Sequence, residues 1–213
     1  MDKGNKIYLT VMEKQKFIFI AGGSFQGKSL IALYLANKYQ FSGVVTTDMI
    51  RNILRIHATP EDKRRYFSTS TYRMSPEDLM MQKELVSNEV KRLLPIYIKR
   101  GEKIIFEGMH FSDAFIKKYL SKKDYLRIFI DNEISLSQRV ELKRITRNNL
   151  NLKNEMDDFN YNSTVYSNYE RRIIEIHSQM KEVCKKNGFH IVCFTNIEEG
   201  KKKCEVLVDE YLK

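Results

Sequence analysis

Lys16-Phe17-Ile18-Phe19-Ile20-Ala21-Gly22-Gly23-Ser24-Phe25-Gln26-Gly27-Lys28-Ser29 passes from an apolar run through a glycine-rich turn into a helical pattern over Lys28–Tyr39. Phe17–Ala21 is continuously apolar, the character of a strand covered on both faces and not of one that alternates. The turn fits G-x-x-x-x-G-K-[ST], and the order strand, turn, helix gives that spacing its meaning. Glycines let successive backbone N–H groups converge on phosphate oxygens, and the helix that follows adds the positive end of its dipole. Lys28 supplies a point charge for β- and γ-phosphates, and the Ser29 hydroxyl can hold Mg²⁺. Gly22, Gly23, Ser24, Phe25, Gln26, Gly27, Lys28, Ser29 and Leu30 are therefore expected to bind a nucleoside triphosphate.

Working outward, Gly43–Thr46, Lys103–Phe106, Tyr125–Ile130 and His190–Phe194 share the short, nearly continuous apolar character of the first strand, Lys16–Ala21. Longer helical patterns separate them, at Met49–His57, Pro76–Lys99, Ser112–Tyr119, Ser135–Asn148 and Ser163–Asn187, with Glu198–Leu212 last. Alternation of this kind predicts an α/β fold, a five-stranded parallel sheet flanked by helices. Ile7–Val11 is expected to add a short edge strand. Ser75, Pro76 and Asp78 form a helix start, while Pro95 is expected to kink or end that helix. Gly101 and Gly188 stand where helices should stop. Asn148–Asn162, rich in Asn and Asp, predicts a mobile loop.

Of the 213 residues, 42% are apolar and 30% charged, with nine Gly and three Pro, which excludes collagen-like and disordered classes. The length suits one domain over residues 1–213, with a mobile lid at about 132–162. No apolar run reaches the length that spans a bilayer, and Met1–Lys16 is mostly polar, so no membrane role and a cytoplasmic location are expected. Three cysteines, Cys184, Cys193 and Cys204, without a C-x-x-C pair predict free thiols and neither a disulfide framework nor zinc. A net charge of +10 suits nucleic acid, an anionic membrane or a small polyanion, and the dispersal of the lysines does not choose among them.

Three further stretches carry chemistry. In Thr46-Thr47-Asp48-Met49-Ile50-Arg51 and Arg55, a strand ends and a helix begins, placing Asp48, Arg51 and Arg55 on one helical face. Asp48 at a strand end can accept a substrate proton or support Mg²⁺, and the arginines can grip an anion; alternatively Asp48 only caps the helix. Ile104-Ile105-Phe106-Glu107-Gly108-Met109-His110 ends an apolar strand on a carboxylate. Glu107 is expected to order Mg²⁺ or to serve as base in place of Asp48, with Gly108 allowing close approach and His110 either binding substrate or merely hydrogen-bonded. Arg139, Lys143 and Arg147 recur along one face of a basic helix, with Arg144 beside them. Such a helix can close as a lid that brings charge onto a transferring phosphoryl group. Tyr72-Arg73 and Arg171-Arg172 are weaker candidates for substrate contact.

With these stretches in order, the chain resembles the P-loop small-molecule kinases of the nucleoside-monophosphate-kinase-like group, and more closely the 2-phosphoglycerate kinase family. Thr47-Asp48-Met49-Ile50-Arg51 matches that family's T-D-x-I-R, Glu107-Gly108-Met109-His110 its E-G-[VI]-H, and Arg139 with Arg144 its lid pattern R-x-x-x-x-R. The similarity spans roughly Lys16 to Thr195. Ala21 stands where the family usually has Gly, Phe25 and Gln26 where small residues are common, and Leu30 where Thr is common. The extra N-terminal domain of the archaeal 2-phosphoglycerate kinases is not expected in this chain. The archaeal mevalonate-3-phosphate 5-kinases of isoprenoid biosynthesis resemble the same family.

The resemblance implies an ATP- and Mg²⁺-dependent kinase acting on a hydroxyl of a small anionic phosphorylated acid, with mevalonate 3-phosphate ahead of 2-phosphoglycerate. Lys28, Asp48, Glu107, Arg139 and Arg144 would be catalytic. Asp48, Arg51, Arg55, Arg73, His110 and Arg147 would bind substrate, and Ser29 and Glu107 the metal. A nucleic-acid partner is not expected, and a homodimer is allowed. A nucleoside or polynucleotide kinase and an ATP-binding switch are the rival readings.

Overall fold

The computed structural model describes residues 16–67, 71–121, 125–149 and 164–213. Five strands make one sheet: β1 (Phe17–Ala21), β2 (Gly43–Thr46), β3 (Ile104–Gly108), β4 (Leu126–Asn132) and β5 (His190–Phe194). The spatial order is β2-β3-β1-β4-β5, and every pairing is parallel. The connections are α1 (Lys28–Lys38), α2 (Thr47–His57), α3 (Pro60–Tyr66), α4 (Pro76–Arg100), a short α5 (Asp113–Phe115) running into a π-turn at Ile116–Leu120, α6 (Leu136–Asn149), α7 (Thr164–Lys186) and α8 (Ile197–Leu212).

Burial explains why β1 reads as unbroken apolar sequence. All five of its residues are at most 1% exposed, since a parallel strand in mid-sheet meets helices on both sides. Phe17, Phe19 and Ala21 join the core formed with Val86 and Val90 of α4 and Ile176 and Met180 of α7. Ile18 and Ile20 join the opposite core, with Ile31 and Leu35 of α1 and Cys204 and Val208 of α8. Side chains alternate between faces, and each face is apolar. Burying a Phe or Ile side chain contributes about 1.5–3 kcal/mol, so this strand is a principal anchor of the sheet. Cys184 and Cys204 lie in the two cores, where burial pushes both thiols up to about 12.

Several boundaries differ from those the sequence predicts. β3 continues through Glu107 and Gly108, and β4 through Asp131 and Asn132; carboxylates at strand ends look like terminators until the parallel ladder is seen to carry them. α4 has its predicted start, with the Asp78 N–H donating to Ser75 Oγ at 3.1 Å. It does not end at Pro95 but runs on to Arg100, where Gly101 closes it at φ 68°. The carbonyl that Pro95 leaves without a partner belongs to Lys91, which is exposed, so water can take the lost bond. The predicted helix Ser112–Tyr119 is the short α5 with Ser112 as its cap, continued by the π-turn. α3 was not foreseen. Ile7–Val11 lies outside the described residues, as does Asn148–Asn162 apart from Asn148 and Asn149, which belong to α6.

Candidate active site

Three adjacent strands, β2, β3 and β1, end side by side, and their carboxyl ends carry Thr46-Thr47-Asp48, Glu107-Gly108 and the glycine-rich loop. In open α/β sheets ligands bind at such strand ends. Lys28 opens α1 and donates its ammonium to the Gly23 carbonyl at 2.7 Å, which holds its charge against the loop. Ser29, one residue on, donates to Glu107 Oε1 at 3.0 Å. Glu107 is only 3% exposed. Its burial raises the carboxyl pKa, while Lys28 and the Ser29 hydroxyl pull it back down and Asp48 adds to the rise.

Ser29 and Glu107 together present two hard oxygen donors beside a desolvated carboxylate. That donor set fits Mg²⁺, which takes one or two protein oxygens and completes its shell with water and phosphate. Among the described residues no cluster of three or more His, Cys, Asp or Glu suited to a metal occurs, so a site built wholly from protein ligands is not what this region offers.

Asp48 does not cap its helix. Thr46 does so instead, its hydroxyl accepting from the Met49 N–H at 2.9 Å, which leaves the Asp48 carboxylate for other work. Asp48 Oδ1 lies 3.3 Å from Arg51 Nε and 3.9 Å from His110 Nδ1. The carboxylate opens to solvent, with 65% of the side chain exposed. Partial desolvation by the surrounding chain raises its pKa, but His110, Arg51, Lys28 and Lys143 outweigh that and lower it. Asp48 is accordingly ionised near neutral pH, as a proton acceptor must be.

His110 stands behind this surface and not on it. The ring is wholly buried, with Nδ1 3.0 Å from Thr47 Oγ1 and Nε2 3.3 Å from Thr71 Oγ1. Burial holds its pKa down at about 4, so the imidazole is neutral at pH 7. Its fit depends on Gly108: a methyl there, at φ +152°, would lie 1.7 Å from Thr47 Oγ1. Only glycine lets the end of β3 pass beneath that threonine.

On the other side of the loop, Arg139 of α6 is half-buried, and its Nε and Nη1 have no hydrogen-bond partner among the described residues. Burial lowers its pKa against the pull of Asp131 and Glu170, though a guanidinium keeps its charge in proteins. Buried donors with nothing to donate to are costly unless an anion arrives. Lys143 Nζ sits 4.9 Å from the centre of the Phe25 ring, and Arg73 lies over the Tyr169 ring at 5.0 Å. Arg55 and Leu30 are exposed. Arg144 and Arg147 lie on α6, and their side chains fall outside the described set, as does that of Tyr72.

The bulky loop residues have structural partners. Phe25, at φ 62°, packs with Tyr169 against Leu136, Val140 and Ile173. Gln26 is buried and accepts from the Asn132 N–H at 2.6 Å. Sequence reasoning passed over three residues gathered here: Asp131, His177 and Lys181. His177 Nε2 is 2.9 Å and Lys181 Nζ 2.5 Å from the Asp131 carboxylate, and Gly23 donates its N–H to His177 Nδ1 at 3.1 Å. The usable signal was Asp131 at the end of an apolar strand, the same position that singled out Glu107. Lys83 of α4, half-buried and unremarked in the sequence, has its pKa lowered by burial against the pull of Asp113.

No protein-family model matches the chain. An uncharacterised protein of Dictyostelium discoideum is 29% identical over 150 residues, 62% of this chain and 18% of that protein. A 2-phosphoglycerate kinase of Methanothermobacter thermautotrophicus is 27% identical over 126 residues, 53% of this chain and 41% of the relative. Another, from Methanococcus maripaludis, is 24% identical over 222 residues, 96% of this chain and 68% of its own length. The chain thus spans less than half of the first two relatives. Among solved structures, shikimate kinase from Acinetobacter baumannii in complex with shikimate aligns with a TM-score of 0.53 at 12% identity, covering 93% of each chain. The fold is that of the P-loop kinases, and the sequence resembles the 2-phosphoglycerate kinase family.

Proposed function

We propose that the chain is an ATP-dependent kinase that phosphorylates a hydroxyl of a small, already phosphorylated hydroxy acid. The observation that carries this reading is the grouping of Lys28, the Ser29–Glu107 pair and an uncapped, ionised Asp48 at the ends of three adjacent strands. A module that only bound nucleotide would need Lys28 and the loop but not a solvent-facing, ionised carboxylate beside them.

In this reading the loop N–H groups and Lys28 bind the triphosphate. Ser29 and Glu107 would hold Mg²⁺, which when bound supplies charge neutralisation at the phosphates. Asp48 accepts the proton of the acceptor hydroxyl as its oxygen attacks the γ-phosphoryl, and Arg51 fixes the Asp48 carboxylate. Arg139, with its unused donors, neutralises charge on the phosphoryl in flight. Arg51, Lys83 and Arg139 give the region a cationic cast suited to an acceptor bearing both a phosphate and a carboxylate.

We rank 2-phosphoglycerate first as acceptor and mevalonate 3-phosphate second, the reverse of the order implied by the resemblance above; the names of the 2-phosphoglycerate kinase relatives support this ranking. The test is ATP consumption coupled to product phosphorylation across 2-phosphoglycerate, mevalonate 3-phosphate, glycerate, mevalonate, nucleosides and a 5′-hydroxyl oligonucleotide. Turnover with one phosphorylated acid supports the proposal. Turnover only with a nucleoside or the oligonucleotide replaces the acceptor class, and slow hydrolysis indifferent to every acceptor replaces the kinase with a nucleotide switch.

A further inference from the structure

The glycine-rich loop is tied to distant parts of the chain at several points, among them the Ser24 hydroxyl on Met109 Sδ at 3.4 Å and three contacts with β4, α6 and α7. Gly23 donates its N–H to His177 Nδ1 on α7, Gln26 is bonded at the end of β4, and Phe25 packs against α6 and α7. The contact between Gly23 and His177 is polar, buried and chemically directional. A backbone N–H can only donate, so Nδ1 is bare and Nε2 carries the proton, which it donates to Asp131 at 2.9 Å. Asp131 is in turn held by Lys181 at 2.5 Å and accepts from Cys193 Sγ at 3.6 Å. The His177 ring rests on Phe129, with ring centres 5.0 Å apart.

The approach is also close. A methyl on Gly23 would lie 2.8 Å from His177 Cβ and 2.9 Å from Nδ1, so the histidine requires a glycine here, at a position that the G-x-x-x-x-G-K-[ST] pattern leaves open. The lysine that follows the loop folds back onto the carbonyl of the same residue. One residue therefore has its N–H fixed by His177 and its carbonyl used by Lys28, so the peptides on both sides of Gly23 are held.

We infer that His177, held in one tautomer by Asp131, is a positioning residue for nucleotide binding: it fixes the Gly23 peptide and with it the loop shape that presents the other N–H groups to phosphate. This rests on the nucleotide-binding part of the proposed function and not on the identity of the acceptor. Because His177 sits on α7, the loop is set by a helix that follows the lid region in sequence. Nucleotide affinity thereby depends on where that helix lies.

The test is equilibrium binding of ADP to the full chain by calorimetry, which needs neither acceptor nor turnover. His177→Phe keeps a ring against Phe129 but removes the acceptor, and His177→Asn restores an acceptor near the Nδ1 position. The expected result is a roughly tenfold weaker Kd for His177→Phe and recovery to within about threefold in His177→Asn. Both variants lose the bond to Asp131, so a purely structural histidine would weaken them alike. Equal Kd values for the two variants, or an unchanged Kd for His177→Phe, overturn the inference. Should His177→Phe fail to fold, Asp131→Asn decides. It keeps the ring but frees the tautomer, so it should weaken ADP binding at least threefold, and an unchanged Kd refutes the role. A wild-type chain that binds no ADP removes the nucleotide reading itself, a result distinct from all of these.

Discussion

Ser29 and Glu107 meet at 3.0 Å although one lies in the first turn of the helix after β1 and the other near the end of β3. The parallel pairing of Ile20 with Glu107 sets this geometry, because it levels the two strand ends and leaves the first turn of α1 directly beside the carboxylate. Glu107 is thereby paired with a hydroxyl inside the fold, whereas Asp48, paired with Arg51, keeps 65% of its side chain exposed, which separates their roles.

Asp48→Asn should therefore lower kcat by about 10²–10⁴-fold, the range for loss of a positioned base, with the Kd for ATP nearly unchanged. Glu107→Gln should weaken the dependence on Mg²⁺ as well as turnover. Initial rates against Mg²⁺ concentration for both variants check the assignment; a full-speed Asp48→Asn would hand the base role to Glu107.

Replacing Arg139 by Met removes a guanidinium that has no hydrogen-bonding duty among the described residues. Its loss should cost about 10²–10³-fold in kcat, as for one charge-stabilising donor, while thermal stability holds or rises slightly because two buried donors without hydrogen-bond partners are gone. Rate and Tm measured on the same preparation would show the split. A large fall in Tm would mean that the arginine is structural.

Gly108→Ala should destabilise the fold by roughly 3 kcal/mol, from overpacking against Thr47 and a strained backbone. Urea unfolding measures it. Thr47→Ser in the same chain should not relieve the clash, because the atom met at 1.7 Å is the hydroxyl oxygen.

His110 makes a prediction about acid. Its folded pKa, lowered by burial to about 4, lies below its ordinary 6.5. The unfolded chain takes up a proton as pH falls through 6.5, and the folded chain only near 4. The contribution is complete above pH 6.5 and declines down to about 4. Glu107, whose pKa is raised by burial, works in the opposite sense, but it is common to the wild type and a His110→Gln variant. Unfolding free energies at pH 7, 5.5 and 4.5 should fall more steeply for wild type than for His110→Gln; parallel lines would show that His110 does not set the slope.

The sheet was legible because parallel strands print short, nearly continuous apolar runs: β1 and β3 are buried throughout, and even the edge strands β2 and β5, only partly buried, kept that character. The loop was legible because phosphate chemistry leaves few choices of residue at its fixed spacing. α3 was not, since Pro60-Glu61-Asp62-Lys63-Arg64-Arg65-Tyr66 has no apolar face to produce periodicity; only the Thr59 cap before Pro60 announced it. His110 drew notice from its place after a strand, as either a substrate ligand or a hydrogen-bonded structural residue, and its buried bonds match the second. The threonines that satisfy both of its nitrogens lie far off in sequence, and nothing local predicts them. His177 escaped for the converse reason: a lone histidine on a long amphipathic helix looks unremarkable until the fold sets it against Gly23.

The order of strands has a consequence for synthesis on the ribosome. Among the described residues β1 is the first strand made, and it is the middle one in the sheet. Its partners begin at Ile104 on one side and Leu126 on the other. Until those residues leave the exit tunnel, Phe17-Ile18-Phe19-Ile20-Ala21 is a β-prone, uncharged apolar segment with neither ladder filled, the kind that seeds association between nascent chains. The strand that later anchors both cores is thus the one that most needs shielding at birth, and slow elongation between α1 and β3 should reduce the soluble yield.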